Sequence, residues 1–561
     1  MPKNSSQVSS PSPRRRGAQN TSPQTYPGFA GFFFLPALIF FAAVSLPACQ
    51  STKDAFYGIA DWDVSKSWFP GASFFAGTWH RLFGDKDNRR IVVYEPDYIH
   101  WFDEFAFVRG SRGAVLRLKR AHDDHPPMML ADGSGASRIY KVRLKDLNFF
   151  KQNGFQVLKG GPFLWIDPGL KARKRSRNFR DWMNGYKDGE ILERILRYLA
   201  GEHPTLTQLV RVGTSVQDRP IYALRISRNY DATKKAVMFN SGHHGMEVLS
   251  IDYSLDVACL LLNELCYPEA ASMDPELRNY VLDNLVVWII PMVNPDGLHR
   301  FWNVSGYMGR KNANGVDLNR NYPFYWKSWN ELASSGSASS YKYRGPEAAS
   351  EPETRAMMNL ARRHRFLLSF SFHTYATRIL FPYTADGAAN PHPDPARHIA
   401  EKIAWPGISY RTTRQYEAAR KLYSVDGTDQ DWLYHELGTM AFIVEGSMST
   451  PSWEDARRSI RGMRPVSLEA FRQIRQGPRL ELTVTDYQGR PLEDARMVLL
   501  SRTSYEREAW PRSNRHGQLH VFLVPDEVLY AEIRKPGYAP LRVRLECESV
   551  CEQRFQLTPT E

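Results

Sequence analysis

The residues with the clearest chemistry are His244 and Glu247, in the stretch Asn240-Ser241-Gly242-His243-His244-Gly245-Met246-Glu247. An imidazole and a carboxylate three residues apart share one face of a helical turn if a helix opens at Gly245 or Met246. Such a pair can bind one metal ion. Zinc takes nitrogen and oxygen ligands, and its catalytic sites typically have three protein ligands and a water. His243, four residues before Glu247, reaches the same face and competes with His244 for the role. A third ligand must come from elsewhere in the chain.

The elements that position this pair are visible around it. An apolar run from Ala236 to Phe239 predicts a strand, the glycines a turn, and the segment ending near Leu265 an amphipathic helix. From Tyr186 to about residue 470 strand-like and helix-like patterns alternate. A helical stretch runs to Leu199, and strands are expected at Leu209 to Val212 and Ile221 to Ile226. This is the α/β pattern, which predicts a mostly parallel or mixed sheet with helices on both faces and a site at strand ends.

Two further stretches carry chemistry. The strand Leu285 to Ile290 leads into the turn Asn294-Pro295-Asp296-Gly297, followed by Gly309-Arg310-Lys311-Asn312-Ala313-Asn314-Gly315-Val316-Asp317-Leu318-Asn319-Arg320-Asn321. Asn and Arg side by side form a fork for a carboxylate, because a guanidinium donates two parallel hydrogen bonds. The apolar run Phe366 to Phe372 then ends in His373, an imidazole at a strand end and the candidate third ligand.

In this order, His-x-x-Glu, Asn-Pro-Asp-Gly, Gly-Val-Asp-Leu-Asn-Arg-Asn, Ser-Phe-His-x-Tyr, a late Tyr and a late Glu resemble the zinc metallocarboxypeptidase family typified by the pancreatic carboxypeptidases A and B, over roughly Tyr186 to Arg475. The resemblance implies a central mixed eight-stranded sheet flanked by helices, one zinc ion, and His244, Glu247 and His373 as its ligands. It also settles His244 over His243. Position by position it implies that Asp317 orients the first ligand histidine and that Arg310 polarises the scissile carbonyl. Asn319 and Arg320 would grip the substrate's terminal carboxylate, Tyr423 would close over it, and Glu445 would be the general base. Gln430 and Thr384 fall at positions that shape the side-chain pocket. Gln430 resembles the regulatory N/E-type branch, which removes Lys and Arg, but that branch carries an Asp where this chain has Thr384. Asp426 or Asp429 could supply the negative charge instead. Ser350-Glu351-Pro352-Glu353 reads as a helix start with a capping box.

The implied activity is hydrolysis of the C-terminal peptide bond of peptides or proteins. Two rivals remain: a zinc amidase acting on cell-wall murein peptides, and an inactive peptide-binding relative. The second would normally have lost a ligand, the base or the arginine, and none is missing.

The 561 residues, 42% hydrophobic and 24% charged, describe a globular chain with an ample core. The net charge of +13 is spread apart from Lys171 to Arg177, and no recognition helix, zinc finger or aromatic RNA-binding motif accompanies it, so nucleic acid is not an expected partner. Residues 1–49 read as an export signal, with Arg14-Arg15-Arg16 followed by an apolar run from Phe29 to Ala48. The ending Leu46-Pro47-Ala48-Cys49 resembles a bacterial lipoprotein signal, which would lipidate Cys49; the alternative is an uncleaved anchor. Either places the chain outside the cytoplasm, in a cell envelope or periplasm, and it is read as a monomer.

Residues 50–178 are rich in aromatics, with strands expected at Ile139 to Leu144 and Phe155 to Leu158. They have no assigned chemistry and could be a pro-domain cut near the basic cluster. Residues 179–476 are the expected catalytic domain. Residues 477–561 show short strands between Gly and Pro turns, expected to form a small all-β sandwich that resembles the transthyretin-like domain of the regulatory branch. Cys547 and Cys551 could close a small loop. Cys259 and Cys266, seven apart on the expected helix, read as buried free thiols.

Overall fold

The computed structural model describes residues 105–111, 128–132, 137–143, 147–152, 154–158, 176 and 178–560, apart from short gaps at 268–272, 304–308, 329, 331–332, 389, 391, 410–413, 447–450, 452, 501–510 and 527. The expected export signal with Cys49, and the basic cluster apart from Ser176, lie outside the described residues. Among the described residues no helix is long and apolar enough to cross a membrane.

Among the described residues four strands come first: β1 (Phe105–Ser111), β2 (Met128–Asp132), β3 (Ser137–Arg143) and β4 (Gln156–Leu158), in the order β2-β3-β1-β4, with α1 (Leu147–Gln152) before β4. β3 and β4 are the two strands the alternation predicted.

After α2 (Phe179–Met183), α3 (Gly189–Glu202) opens on Asp188, whose carboxylate accepts from the Ile191 N–H at 2.9 Å and satisfies one of the orphan donors of a helix start. The main sheet then forms from β5 (Thr207–Thr214), β6 (Pro220–Ile226), β7 (Lys235–Ser241), β8 (Leu285–Ile290), β9 (Leu368–His373), β10 (Arg378–Leu380), β11 (Glu417–Ala419) and β12 (Met440–Glu445). Their order is β11-β10-β12-β9-β7-β8-β6-β5. The central strands β12, β9, β7 and β8 are parallel, and β5-β6, β6-β8 and β10-β12 pair antiparallel. This is the expected mixed eight-stranded sheet. β8, β9 and every residue of β7 after Lys235 are buried, as near-continuous apolar runs require when helices cover both faces.

The helices are α4 (Val248–Leu262), α5 (Pro275–Asn284), α6 (Pro295–Asn303), α7 (Pro352–His364), α8 (Pro395–Ala404), α9 (Asp429–Leu437) and α10 (Trp453–Gln476). α4 differs from expectation in two ways. It starts at Val248, later than predicted, with Glu247 as its N-cap, and all its residues are buried, so it is not amphipathic. Its polar residues are matched instead. Asp252 pairs with the buried Lys187, and Asp256 accepts two hydrogen bonds from Arg464 of α10 at 2.9 and 2.6 Å.

The cysteine expectation is overturned here. α4 ends at Leu262, Asn263 adopts a left-handed conformation, and the chain turns back, so Cys266 lies 6.1 Å from Cys259 between Cα atoms and the two form a disulfide. A continuous helix would have held them apart. The capping box is also corrected: the N-cap of α7 is Glu351, without a side-chain cap bond, and Ser350 Oγ donates to Glu351 Oε1 at 2.7 Å.

The C-terminal strands form two three-stranded sheets. β13 (Arg479–Asp486), β15 (Gln518–Phe522) and β18 (Val550–Leu557) make one, in the order β15-β13-β18; β14 (Arg496–Leu499), β16 (Leu529–Arg534) and β17 (Leu541–Leu545) make the other, in the order β14-β16-β17. Leu480, Leu482, Val484, Met497, Ile533 and Leu545 lie in their common core. β18 was not anticipated, and a disulfide joins Cys547 to Cys551 at its start. Among the described residues three ion pairs hold this unit to the main sheet and its helices: Lys235–Glu481 at 2.7 Å, Arg365–Asp494 at 2.5 Å and Arg512–Glu436 at 3.4 Å. Lys235, Arg365 and Glu436 lie at or just before the starts of β7, β9 and β12. The sandwich therefore packs at the end of the sheet opposite to the one where those strands finish.

Candidate active site

Three parallel strands finish side by side, and each delivers a functional group. β7 runs into the turn that carries His244 and Glu247, β9 ends on His373, and β12 ends on Glu445. Glu445 is directly opposite His373 in the β12-β9 register. The turn closes with a hydrogen bond from the Glu247 N–H to the His244 carbonyl at 3.1 Å, so the two side chains meet before the helix begins.

The ligating atoms of His244, Glu247 and His373 lie within 4.8 Å of one another, and all three residues are buried. His244 Nδ1 is 2.7 Å from Glu247 Oε1, and His373 Nδ1 is 2.9 Å from Glu247 Oε2. The far nitrogens face protein partners: His244 Nε2 is 3.2 Å from Asp317 Oδ1, and His373 Nε2 is 3.3 Å from Ser371 Oγ. Partners of this kind fix ring orientation at metal sites. Burial raises the Glu247 carboxyl, but the charges and hydrogen bonds of the two histidines outweigh it and hold it well below the ordinary carboxylate range. Two imidazoles and a carboxylate converging on one point are the donor set that fits zinc.

Asp317 serves two neighbours. Its Oδ2 accepts from Arg310 Nε and Nη2 at 3.0 and 2.7 Å, while Oδ1 faces His244. Burial pushes Asp317 up, and Arg310, Arg320 and His244 together bring it well below its ordinary value. Burial likewise opposes the Arg310 charge, but Asp317 above all, with Tyr341, Tyr423 and Glu247, more than restores it. The Arg310 guanidinium lies 4.0 Å from the ring centroid of the buried Tyr341. No sequence signal marked Tyr341, which sits in a long loop.

Glu445 is half-buried at the strand end. Desolvation and the neighbouring Glu247 carboxylate raise it to about 8, against the pull of Arg310 and Arg320. Asn319 Oδ1 accepts from the Asp429 N–H at 3.0 Å. Arg320 donates from Nε to the Ala333 carbonyl at 3.1 Å and from Nη1 to the Asn319 carbonyl at 2.8 Å, which sets the plane of its guanidinium. Tyr423 is half-buried and within electrostatic reach of Arg310 and Tyr341.

The residues expected to shape a side-chain pocket are bound into the frame. Thr384 donates from N and Oγ1 to Asp431 Oδ2 at 2.9 and 2.8 Å; Gln430 Oε1 accepts from the Ile443 N–H at 3.0 Å, and its Nε2 faces Asp431 Oδ1 at 3.4 Å. Asp431 is raised to about 6 by burial, against these bonds. Asp426 Oδ2 accepts from Ser328 and Ser334. Asp429 is buried, and neither of its carboxylate oxygens meets a hydrogen-bond donor among the described residues. His243 is not in the ligand cluster. Its Nε2 lies 2.9 Å from Tyr322 Oη, and burial foremost, with His373 and His244, lowers it to about 4 against Asp429 and Asp317.

The zinc carboxypeptidase family model matches residues 192–455. Human carboxypeptidase A6 is 30% identical over 334 residues, covering 56% of this chain and 70% of that protein. Mouse carboxypeptidase A6 is 28% identical over 325 residues, covering 54% and 67%. Zinc carboxypeptidase A 1 of Anopheles gambiae is 29% identical over 276 residues, covering 47% and 60%. The chain belongs to the zinc carboxypeptidase family, and is a peptide hydrolase whose cofactor is zinc.

Proposed function

We propose that this chain removes the C-terminal residue of peptides or proteins, with His244, Glu247 and His373 holding the zinc ion and Glu445 as general base. The observation that carries the reading is the β12-β9 register, which sets Glu445 beside His373 at the mouth of the ligand cluster. Zinc, when bound, lowers the pKa of a water and polarises a carbonyl. Glu445 takes the attacking water's proton and passes it to the leaving amine, so no covalent intermediate is needed. Arg310 donates to the oxygen that gains charge as the carbonyl is attacked, and its pairing with Asp317 holds it ready. Asn319 and Arg320 fork onto the substrate's free carboxylate and Tyr423 closes over it. Gln430 and Thr384 line the side-chain pocket.

The setting is extracytoplasmic. The leader with Cys49 supports export and attachment to the cell envelope, and the two disulfides belong to an oxidising compartment. The enzyme works as a monomer, residues 50–178 serve as a pro-domain, and residues 477–561 form a transthyretin-like accessory module.

The test is release of the last residue from peptides ending in Lys, Arg, Phe, Leu, Glu and D-Ala, measured with zinc content for wild type and Glu445→Gln. Removal of a general base should cost about 10²–10⁴ in rate while zinc is retained. Stoichiometric zinc without turnover of any peptide, even after trypsin has cut the Lys171 to Arg177 cluster, would refute the reading and favour a cell-wall amide or a binding role.

A further inference from the structure

The Asn-Pro-Asp-Gly turn follows β8 and takes no direct part in the chemistry above, yet it touches both halves of the site. Three consecutive carbonyls leading to the ligand histidine are bound by it. The Val293 N–H donates to the Ser241 carbonyl at 3.0 Å, the Asn294 N–H to the Gly242 carbonyl at 2.9 Å, and Asn294 Nδ2 to the His243 carbonyl at 3.1 Å. The same Nδ2 donates to the Arg310 carbonyl at 3.1 Å. Asn294 Oδ1 accepts from the Gly297 N–H at 2.8 Å, which fixes the amide: the reverse orientation would set an oxygen against two carbonyl oxygens. Asn294 is fully buried.

Three backbone segments meet around this amide with no room for side chains. A Cβ at Gly245 would lie 2.1 Å from the Leu298 nitrogen, and one at Gly309, whose φ is +77°, would lie 2.4 Å from the Gly297 carbonyl oxygen. The far end of the Arg310 loop has its own anchor. Asn312 Nδ2 donates to Glu351 Oε2 at 2.6 Å and Glu353 Oε2 at 3.1 Å, while its Oδ1 accepts from the N–H groups of Asn314 and Val316. Loss of the Asn294 amide therefore frees the front of that loop and leaves its back in place.

We propose that Asn294 is a positioning residue that sets the Arg310 loop in register with the metal-binding turn, through the two hydrogen bonds of one amide nitrogen. It rests on the catalytic reading of Arg310 given above. Asn294 itself meets neither metal nor substrate; it acts through His244 on one side and Arg310 on the other.

Two variants test it in the full chain. Asn294→Asp turns the double donor into an acceptor facing two carbonyl oxygens, and Asn294→Ser removes the donors without adding charge. Zinc affinity by chelator competition, kcat and KM on one peptide, and thermal unfolding are measured for each. The expected result for Asn294→Ser is a loss of about 10–100-fold in kcat, the range seen for outer-shell partners of metal sites, with little change in KM and zinc bound roughly tenfold more weakly. Combined with Arg310→Ala and measured at saturating zinc, Asn294→Ser should cost no further kcat, because the arginine through which it acts on the reaction is gone, while the zinc effect, which runs through His244, persists. A kcat loss that stays in full in the Arg310→Ala background overturns the proposal in favour of general destabilisation. Zinc affinity unchanged in both variants also overturns it. If wild type cleaves no peptide even after trypsin has removed the N-terminal region, the proposed function fails, and the zinc measurement alone still decides whether Asn294 holds the metal turn.

Discussion

One carboxylate, that of Asp317, holds both His244 and Arg310: its Oδ1 lies 3.2 Å from His244 Nε2, and its Oδ2 accepts both Nε and Nη2 of Arg310. The histidine and the arginine are thereby fixed to each other through one buried carboxylate. Asp317→Asn keeps the shape and removes the charge. It should weaken zinc binding and lower kcat, each by about 10–100-fold, read by chelator competition and steady-state kinetics. Unchanged zinc affinity would show that Asp317 serves Arg310 alone.

Asp429 predicts the side-chain preference. Its carboxylate is buried without a hydrogen-bond donor among the described residues, and His243 Nε2, 3.9 Å away, belongs to an imidazole that burial keeps neutral. A buried charge left unpaired is costly, and a cationic substrate side chain would relieve it. Peptides ending in Lys or Arg should be preferred, and Asp429→Asn should reduce kcat/KM for them by about tenfold or more while sparing peptides ending in Phe or Leu. Equal losses on both sets would remove Asp429 from the pocket.

Much of this is legible in the sequence, and the limits have physical causes. His373 and Glu445 could be placed because each ends an apolar run long enough to be a buried strand. The pairing of Asp317 with Arg310 was harder to read. It depends on a loop whose path is set by Asn294, Asn312, Glu351 and Glu353, and hydrogen bonds between distant loops leave no periodic trace. The Cys259–Cys266 bond was missed because the pattern of α4 gave no sign of the left-handed turn at Asn263. β18 was missed because Glu552, Gln553 and Arg554 stand in a row between its apolar residues and break the apolar run.

Glu353 predicts a pH dependence of stability. Burial pushes its carboxyl up to about 7, against hydrogen bonds that include those from Asn312 and Val216 and with a small contribution from Asp296. A folded-state value raised above the ordinary 4.5 means that its stabilisation is complete below about pH 4.5 and is lost as pH rises through 7. Glu353→Gln removes this titration. In urea unfolding the wild type should lose roughly 2–3 kcal/mol relative to the variant between about pH 4.5 and pH 8. Parallel pH profiles for the two proteins would place the titration elsewhere.

The Cys259–Cys266 bond closes a short loop at the C-terminal end of α4, the helix that opens on Glu247. Replacing both cysteines with serine should lower stability by about 2 kcal/mol and leave zinc content unchanged, as judged by urea unfolding and metal analysis. Loss of zinc in the folded variant would mean that the helix end sets the position of Glu247 at its start.

The order in which the sheet's strands are made differs from the order in which they lie. β12 is the last of the eight along the chain, yet it sits inside the sheet between β10 and β9. A growing chain therefore possesses His244, Glu247 and His373 before it possesses Glu445. With the roles proposed above, a chain that ends between His373 and Glu445 has its metal ligands but not its base, so hydrolytic competence waits for the strand that also completes the hydrophobic centre of the sheet.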